Sequence, residues 1–382
     1  MPVPGQPFDD VILPYLEAAR AVLPPGTRWT DVHTHTGFND PDGVTGSSDE
    51  LLAALDRAGH ERAVVFTTAE PEGYPPANDR VLGEVEASGG RLSMFCRIDP
   101  NAGDPIPEIE RCLERGARGV KLHPRSDAFQ LPHPEVVRIV AFAGERRMPV
   151  LFHAGRGIPA LGAEVVRLAT EHPDARLILA HAGISDLGLI GPHLPELPNV
   201  FFDTAWWQVS DMLALFDVAP PGQILYASDM PYGSGRFASL NMLRCAQQVG
   251  LPPEAIGVIA GAQAERLVAW EDTIDAGPAP GDGYVGHHRW LAGERILAYA
   301  AGAAMVGFRG GDPTEPIALA RLACQVPTGG SDNDESALLE VCDELLAQAQ
   351  EWMVAPPEGP PRGRLLPVIA AQLIAGTPRA GV

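Results

Sequence analysis

The chain has 382 residues, with 28 lysines and arginines against 49 aspartates and glutamates, a formal net charge of −21. With 45 % hydrophobic and 20 % charged residues the composition is that of a globular protein, since a disordered chain would be poorer in apolar residues. The acidic balance argues against nucleic acid or an anionic membrane as partner, because both present negative surfaces.

The five cysteines, Cys96, Cys112, Cys245, Cys324 and Cys342, form no CxxC pair. That argues against a disulfide framework or a cysteine zinc ribbon and for a reducing compartment. The N-terminal stretch MPVPGQPFDD lacks the basic start and apolar run of a signal peptide. The longest near-uncharged apolar run, Ile296 to Phe308, is shorter than the ~20 residues of a membrane span. The expectation is a soluble, cytoplasmic protein.

From about residue 28 the chain alternates between two kinds of segment. Short β-branched or aromatic runs occur at 28–36, 62–68, 92–99, 119–123, 149–155, 176–183, 200–206 and 223–230. Such runs predict parallel strands covered on both faces. Between them lie amphipathic stretches, among them 47–59, 107–116, 134–147 and 162–173. Asp, Ser or Pro stands near their starts and Gly or Pro near their ends, which is helix start and stop chemistry. Eight strands alternating with helices over ~240 residues predict a (β/α)8 TIM barrel, an α/β fold. An open doubly wound sheet is the competitor. It would want a glycine-rich phosphate turn after the first strand, which DVHTHTG does not offer.

Residues 276–283 read as a linker. Beyond it, candidate helices at 287–306, 314–324, 334–353 and 364–375 are separated by breaker-rich stretches. The division expected is a barrel over 1–275 and a helical C-terminal extension over 276–382, which could cover one end of the barrel or support a homo-oligomer.

The chemistry gathers at the strand ends. His33 and His35 end the first strand, and alternate strand residues face the same side, so both imidazoles face the barrel interior at its mouth. Two neutral imidazoles aimed at one point are a metal-binding geometry. His153 closes the fifth predicted strand, His181 the sixth and Asp229 the eighth. In a barrel these C-terminal strand ends converge on one mouth. A buried histidine costs desolvation unless partnered, so taken singly each would be a satisfied core residue; together they predict a metal site.

These motifs resemble the amidohydrolase superfamily, in the flavour of its amidohydrolase-2 branch with the aminocarboxymuconate-semialdehyde decarboxylase-like and resorcylate decarboxylase-like enzymes. The matching pieces are DVHTH (31–35), GVKLHP (119–124), VLFHAG (150–155), LAHAG (179–183), NVFFDTAW (199–206), ASDMPYG (227–233) and IAGAQAERL (259–267). In the last, Gln263 stands where the family usually has Asn. The resemblance spans roughly residues 28–270 and leaves out the extension. It implies that His33, His35, His153 and Asp229 bind a divalent metal, with Zn²⁺ the first expectation and one ion per chain favoured over two. It also implies that His181 orients or protonates substrate or water, and that Asp229 takes a proton from the attacking water as well as touching the metal.

Lys121, at the end of the fourth strand, stands where binuclear relatives carry a carboxylated lysine. If it is carboxylated, Lys121, His153 and His181 would serve a second metal; otherwise it is an unmodified lysine paired with Asp203 or Asp229. His123 shares its strand face and is a candidate substrate contact. Arg97, Arg125 and Arg156 could hold a substrate carboxylate by bidentate hydrogen bonds. Trp206 and Trp207 could wall an apolar pocket or simply pack under a loop. Asp31 and Asp203 receive no assigned role, and His287 and His288 read as surface residues.

Three functions are open. The first is a hydrolase in which metal-activated water attacks an amide, ester or lactone of a small organic molecule. The second is non-oxidative decarboxylation of an unsaturated or aromatic acid on the same scaffold. The third is a non-catalytic, metal-stabilised binding subunit, disfavoured because all five expected ligand positions are filled.

Overall fold

The computed structural model describes residues 8–281, 290–325, 333–356 and 361–381. Eight strands are laid down in chain order: β1 (Thr30–Thr36), β2 (Arg62–Thr67), β3 (Leu92–Arg97), β4 (Gly119–Leu122), β5 (Pro149–Phe152), β6 (Arg176–Leu179), β7 (Val200–Asp203) and β8 (Ile224–Leu225). Each pairs in parallel with the next. Three backbone bonds draw the last strand segment to the first: Val32 N to Tyr226 O (3.1 Å), Asp229 N to His33 O (2.9 Å) and His35 N to Met230 O (2.7 Å). The protein is a TIM barrel with further helices at its C-terminal end.

Helix α1 (Leu13–Arg20) precedes the barrel. The crossovers carry α2 (Ser48–Ala58), α3 (Pro75–Ala87), α4 (Ile106–Glu114), α5 (Pro134–Gly144), α6 (Gly162–Glu171), α7 (Leu187–Ile190) and α8 (Val209–Val218). After β8 come α9 (Gly235–Gln248), α10 (Pro253–Gly257) and α11 (Gln263–Ala269). Start chemistry is visible at α2, where Ser47 and Glu50 form a reciprocal capping box and Gly59 ends the helix in the left-handed conformation.

Strand alternation sorts the apolar residues into two layers. Val64, Phe66, Phe95, Leu151, Ile178, Phe201 and Leu225 fill the barrel, while Ala63, Val65, Val150, Phe152, Leu177, Leu179, Val200 and Phe202 pack outward under the helices. Asp203, two residues beyond Phe201, and Lys121, paired with Leu151, share the inward face at the mouth.

Among the described residues four α-helices form the extension: α12 (Leu291–Phe308), α13 (Thr314–Cys324), α14 (Asn333–Val354) and α15 (Leu366–Gly376). Their buried residues join the outer barrel layer in one continuous apolar core. The buried Arg244 of α9 fastens the end of this segment, donating to Thr377 Oγ1 (2.8 Å), Thr377 O (3.0 Å) and Gly381 O (2.9 Å). Gln263 is a backbone pin: its Nε2 donates to Gly222 O, and its Oε1 accepts from Ile274 N at 2.8 Å. No helix among the described residues is long and apolar enough to cross a membrane.

Candidate functional site

The strands are shorter than their sequence runs suggest. His153 follows the last residue of β5, His181 lies two residues beyond β6, and Asp229 four beyond β8. His181 and Asp229 take positive φ values of 58° and 60°. Non-glycine residues adopt that region at a cost and persist there only where the surroundings fix them. At Asp229 the surroundings are the bond from its N to His33 O and those from Tyr232 N (2.7 Å) and Gly233 N (3.0 Å) to its carbonyl.

In β1 the pairing with β2 shifts register between Asp31 and Thr34. Two residues then oppose one, so Val32 belongs to the barrel interior while His33 and His35 both pack against the inward ring of Phe66, at 5.1 and 4.6 Å. Asp31 holds the irregular backbone behind them. Its buried carboxylate accepts from His33 N and Ser228 N, each at 3.1 Å, and from Ser228 Oγ.

One ligand atom each from His33, His35 and Asp229 lies within 4.8 Å of the others. Asp229 Oδ1 is 3.3 Å from His33 Nε2 and 3.2 Å from His35 Nε2. The other nitrogen of His33, Nδ1, lies 2.7 Å from Asp203 Oδ2. A carboxylate accepts, so Nδ1 carries the proton and Nε2 turns a lone pair toward the carboxylate of Asp229. Asp203 Oδ1 accepts from His181 N (2.8 Å) and Ala205 N (3.0 Å). This orienting role of Asp203 is what the sequence left unassigned. The signal available was its place at the end of β7, on the inward face.

A second pair of imidazoles adjoins the first. His181 Nδ1 lies 2.8 Å from Ala205 O, which can only accept, so that nitrogen carries the proton. His181 Nε2 then accepts from His153 Nδ1 at 3.0 Å. This leaves the buried Nε2 of His153 a lone pair with no hydrogen-bond partner. His153 is not among the atoms grouped with His33, His35 and Asp229. His123 stacks on His153 with ring centroids 4.0 Å apart and accepts from Ser126 N at 3.2 Å.

Burial sets the charges. It pushes His33, His35, His123 and His153 well below the usual histidine range, helped by neighbouring cationic or imidazole groups, so all four stand neutral and ready to donate lone pairs. It also raises Asp203 and Asp229 above the usual carboxylate range and lowers Lys121. Lys121 is fully buried, with Nζ 3.4 Å from His33 Nε2 and 4.6 Å from the ring centroid of Phe66. The ion pair with Asp203 or Asp229, the alternative to a carboxylated Lys121, is not formed within 4 Å; Nζ instead meets an imidazole nitrogen and an aromatic face.

The donor set suits a divalent cation. Two imidazole nitrogens and a carboxylate oxygen crowd one point, and a buried imidazole nitrogen nearby lacks a partner. Such N/O sets favour Zn²⁺ and its neighbours in the first transition row.

Of the other candidates, Arg156 is exposed and lies over the ring of Trp206 (5.7 Å), which stands 6.3 Å from His181. Arg97 is buried, reaching Thr67 O (3.3 Å) and Asp127 Oδ1 (3.4 Å) beneath the ring of Tyr74. Arg125 is exposed beside Gly157. His287 and His288 lie outside the described residues.

A family model described as amidohydrolase matches residues 30–237, more than half of the chain. The protein belongs to this family, in its amidohydrolase-2 branch. Solved structures of similar fold include an uncharacterized TIM-barrel protein from Bordetella bronchiseptica (15 % identity, 64 % of this chain and 99 % of that one, TM-score 0.53). A putative amidohydrolase from Staphylococcus aureus (14 %, 63 % and 99 %, 0.51) and a 2,6-dihydroxybenzoate decarboxylase from Rhizobium (18 %, 63 % and 98 %, 0.50) are also similar. At such identities the likeness concerns the fold. No curated protein matches the sequence.

Proposed function

We propose that the protein is a metal-dependent hydrolase of small organic substrates, with one Zn²⁺ per chain held by His33, His35, Asp229 and His153. The observation that carries this reading is the convergence of His33, His35 and Asp229 within 4.8 Å at the barrel mouth, with Asp203 fixing the tautomer of His33. A cation bound there would polarise a carbonyl and acidify water.

The side chains divide the remaining work. A bound cation would hold Asp229 ionised against the effect of burial. Its carboxylate, with its side chain 22 % exposed, is then free to accept a proton from the attacking water. His181, its Nδ1 committed to Ala205 O, can exchange a proton only through Nε2, the atom facing His153. Trp206 and Arg156 form one wall, an aromatic face topped by a guanidinium, suited to a flat, anionic substrate. His123, stacked on His153, stands beside it as a further substrate contact.

That wall also favours a second reading, non-oxidative decarboxylation of an aromatic or unsaturated acid. The fold likeness to a 2,6-dihydroxybenzoate decarboxylase agrees with it. Metal content and a substrate panel test both readings. One zinc per chain by elemental analysis is expected, and two would bring Lys121 and His181 into a binuclear site. Zinc-loaded protein is then offered lactones, amides, esters and hydroxybenzoates. Acid release without CO₂ supports hydrolysis, CO₂ release supports decarboxylation, and silence throughout with zinc bound favours a binding subunit. Full activity in His33→Ala or Asp229→Asn would refute the site.

A further inference from the structure

The loop between β7 and α8 carries two groups of the site. Its Ala205 carbonyl fixes the proton of His181, and its Trp206 ring faces the same imidazole. The loop leaves the sheet gradually: Thr204 N still donates to Leu225 O (3.0 Å), Thr204 Oγ1 accepts from Ala227 N (2.9 Å), and Ala205 N donates to Asp203 Oδ1 (3.0 Å), while Trp206 and Trp207 are held by other elements. Within the barrel, Asn241 of α9 donates to Trp206 O (2.8 Å), and Trp206 Nε1 donates to Asp211 (2.6 Å).

A further grip, on Trp207 and Val209, comes from the extension. Trp207 packs edge-on against Phe308, the last residue of α12, with centroids 5.1 Å apart and planes at 69°. Trp207 in turn lies 6.1 Å from Trp206. At the other end of the loop, the buried Val209 meets the backbone of Gly376 at the end of α15. A Cβ there would stand 2.9 Å from Val209 Cγ1, closer than side chains approach. Two helices of the extension thus bracket the loop, and Arg244 anchors the segment that follows α15 to α9.

We infer that Phe308 is a positioning residue: through Trp207 it holds the 204–208 loop, and through that loop's Ala205 carbonyl it fixes the imidazole of His181. The extension, beyond the stretch matched by the family model, is then part of the site's support. The inference rests on the proposed site for its relevance to catalysis, but its physical content is a coupling between Phe308 and His181.

The test is carbethoxylation of full-length protein by diethyl pyrocarbonate, with the rate at His181 resolved by mass spectrometry. In Phe308→Ala the His181 rate is expected to rise about fivefold, because the loop opens more often when its packing is lost. Phe308→Tyr, which keeps the ring, is expected to retain the wild-type rate. Phe308→Leu, which fills the space without the ring, supplies an intermediate case if the alanine variant does not fold. Leu346→Ala removes a buried side chain of α14 away from the loop and is expected to leave His181 unchanged. An unchanged His181 rate in folded Phe308→Ala and Phe308→Leu overturns the inference, as does an equal rise in Leu346→Ala. Zn²⁺ titration of the same proteins separates this from the site itself. Undiminished Zn²⁺ binding by Phe308→Ala is expected, since His33 and His35 sit on β1, Asp229 after β8 and His153 directly after β5, none of them on the 204–208 loop. Wild-type protein that binds no Zn²⁺ sinks the proposed function and leaves the His181 rates to judge the coupling.

Discussion

Asp203 Oδ2 lies 2.7 Å from His33 Nδ1, and this contact decides which nitrogen of His33 faces Asp229. The carboxylate is fully buried, and its second oxygen is occupied by the backbone of His181 and Ala205. An amide at this position could still accept the two backbone bonds, but its NH₂ could turn toward His33 and reverse the tautomer. Asp203→Asn is therefore expected to lower Zn²⁺ affinity by about 10–100-fold, the usual loss when a ligand's orienting partner is removed. Isothermal titration checks it, with circular dichroism to confirm the fold; undiminished affinity would show that Asp203 does not orient the ligand.

Gly155 sets the room for the histidine pair. A Cβ there would lie 2.8 Å from His181 Cδ2 and 3.0 Å from His153 Cε1, inside the contact distance of both rings. The rings are tied to each other and to Ala205, so they have little freedom to retreat. Gly155→Ala is expected to lower turnover on whichever substrate class is found by at least tenfold and to cost about 1–3 kcal/mol of stability through overpacking, with circular dichroism confirming the fold. A variant with wild-type turnover would mean that the pair tolerates displacement and plays no part in the chemistry.

His60 gives the fold an acid weakness away from the site. Its ring is buried, stacked on Trp29 (5.7 Å) and edge-on to Tyr226 (4.9 Å), with Nε2 3.0 Å from Ser239 Oγ. Burial, aided by the charge of Arg20, pushes its pKa down from 6.5 to about 3. The folded state refuses a proton that the unfolded chain accepts below about pH 6.5. Stability is therefore full above that pH and falls as the pH drops toward 3, by about 2 kcal/mol at pH 5 from this group alone. Urea unfolding at pH 7 and pH 5 should show wild type losing more than His60→Gln; equal losses would place the acid sensitivity elsewhere.

Arg244 is the buried fastener of the C-terminal segment. Among the described residues its guanidinium meets carbonyl and hydroxyl oxygens and no carboxylate, and burial draws its pKa down to about 10. Arg244→Met keeps most of the apolar stem but strands the two carbonyls of Thr377 and Gly381. A loss of roughly 3 kcal/mol is expected. Chemical denaturation measures it, and an unchanged midpoint would show the anchor to be dispensable.

Strand periodicity and the punctuation of the helices were legible along the chain because each depends on neighbours two to four residues apart. For the same reason the barrel, the inward pairing of His33 with His35, and the strand-end positions of Lys121 and Asp203 were legible along the chain, whereas Asp229, read as closing the eighth strand, lies four residues beyond it. The register shift in β1 could not be read, because a bulge depends on the partner strand. Nor could the role of Asp203, which arises from an imidazole 170 positions earlier, or the turning of His153 toward His181. The grip of Phe308 on Trp207 joins segments about a hundred residues apart. Local sequence fixes which way a side chain leaves its own backbone; which atom it then meets depends on packing between distant segments, and that geometry exists only in the folded chain.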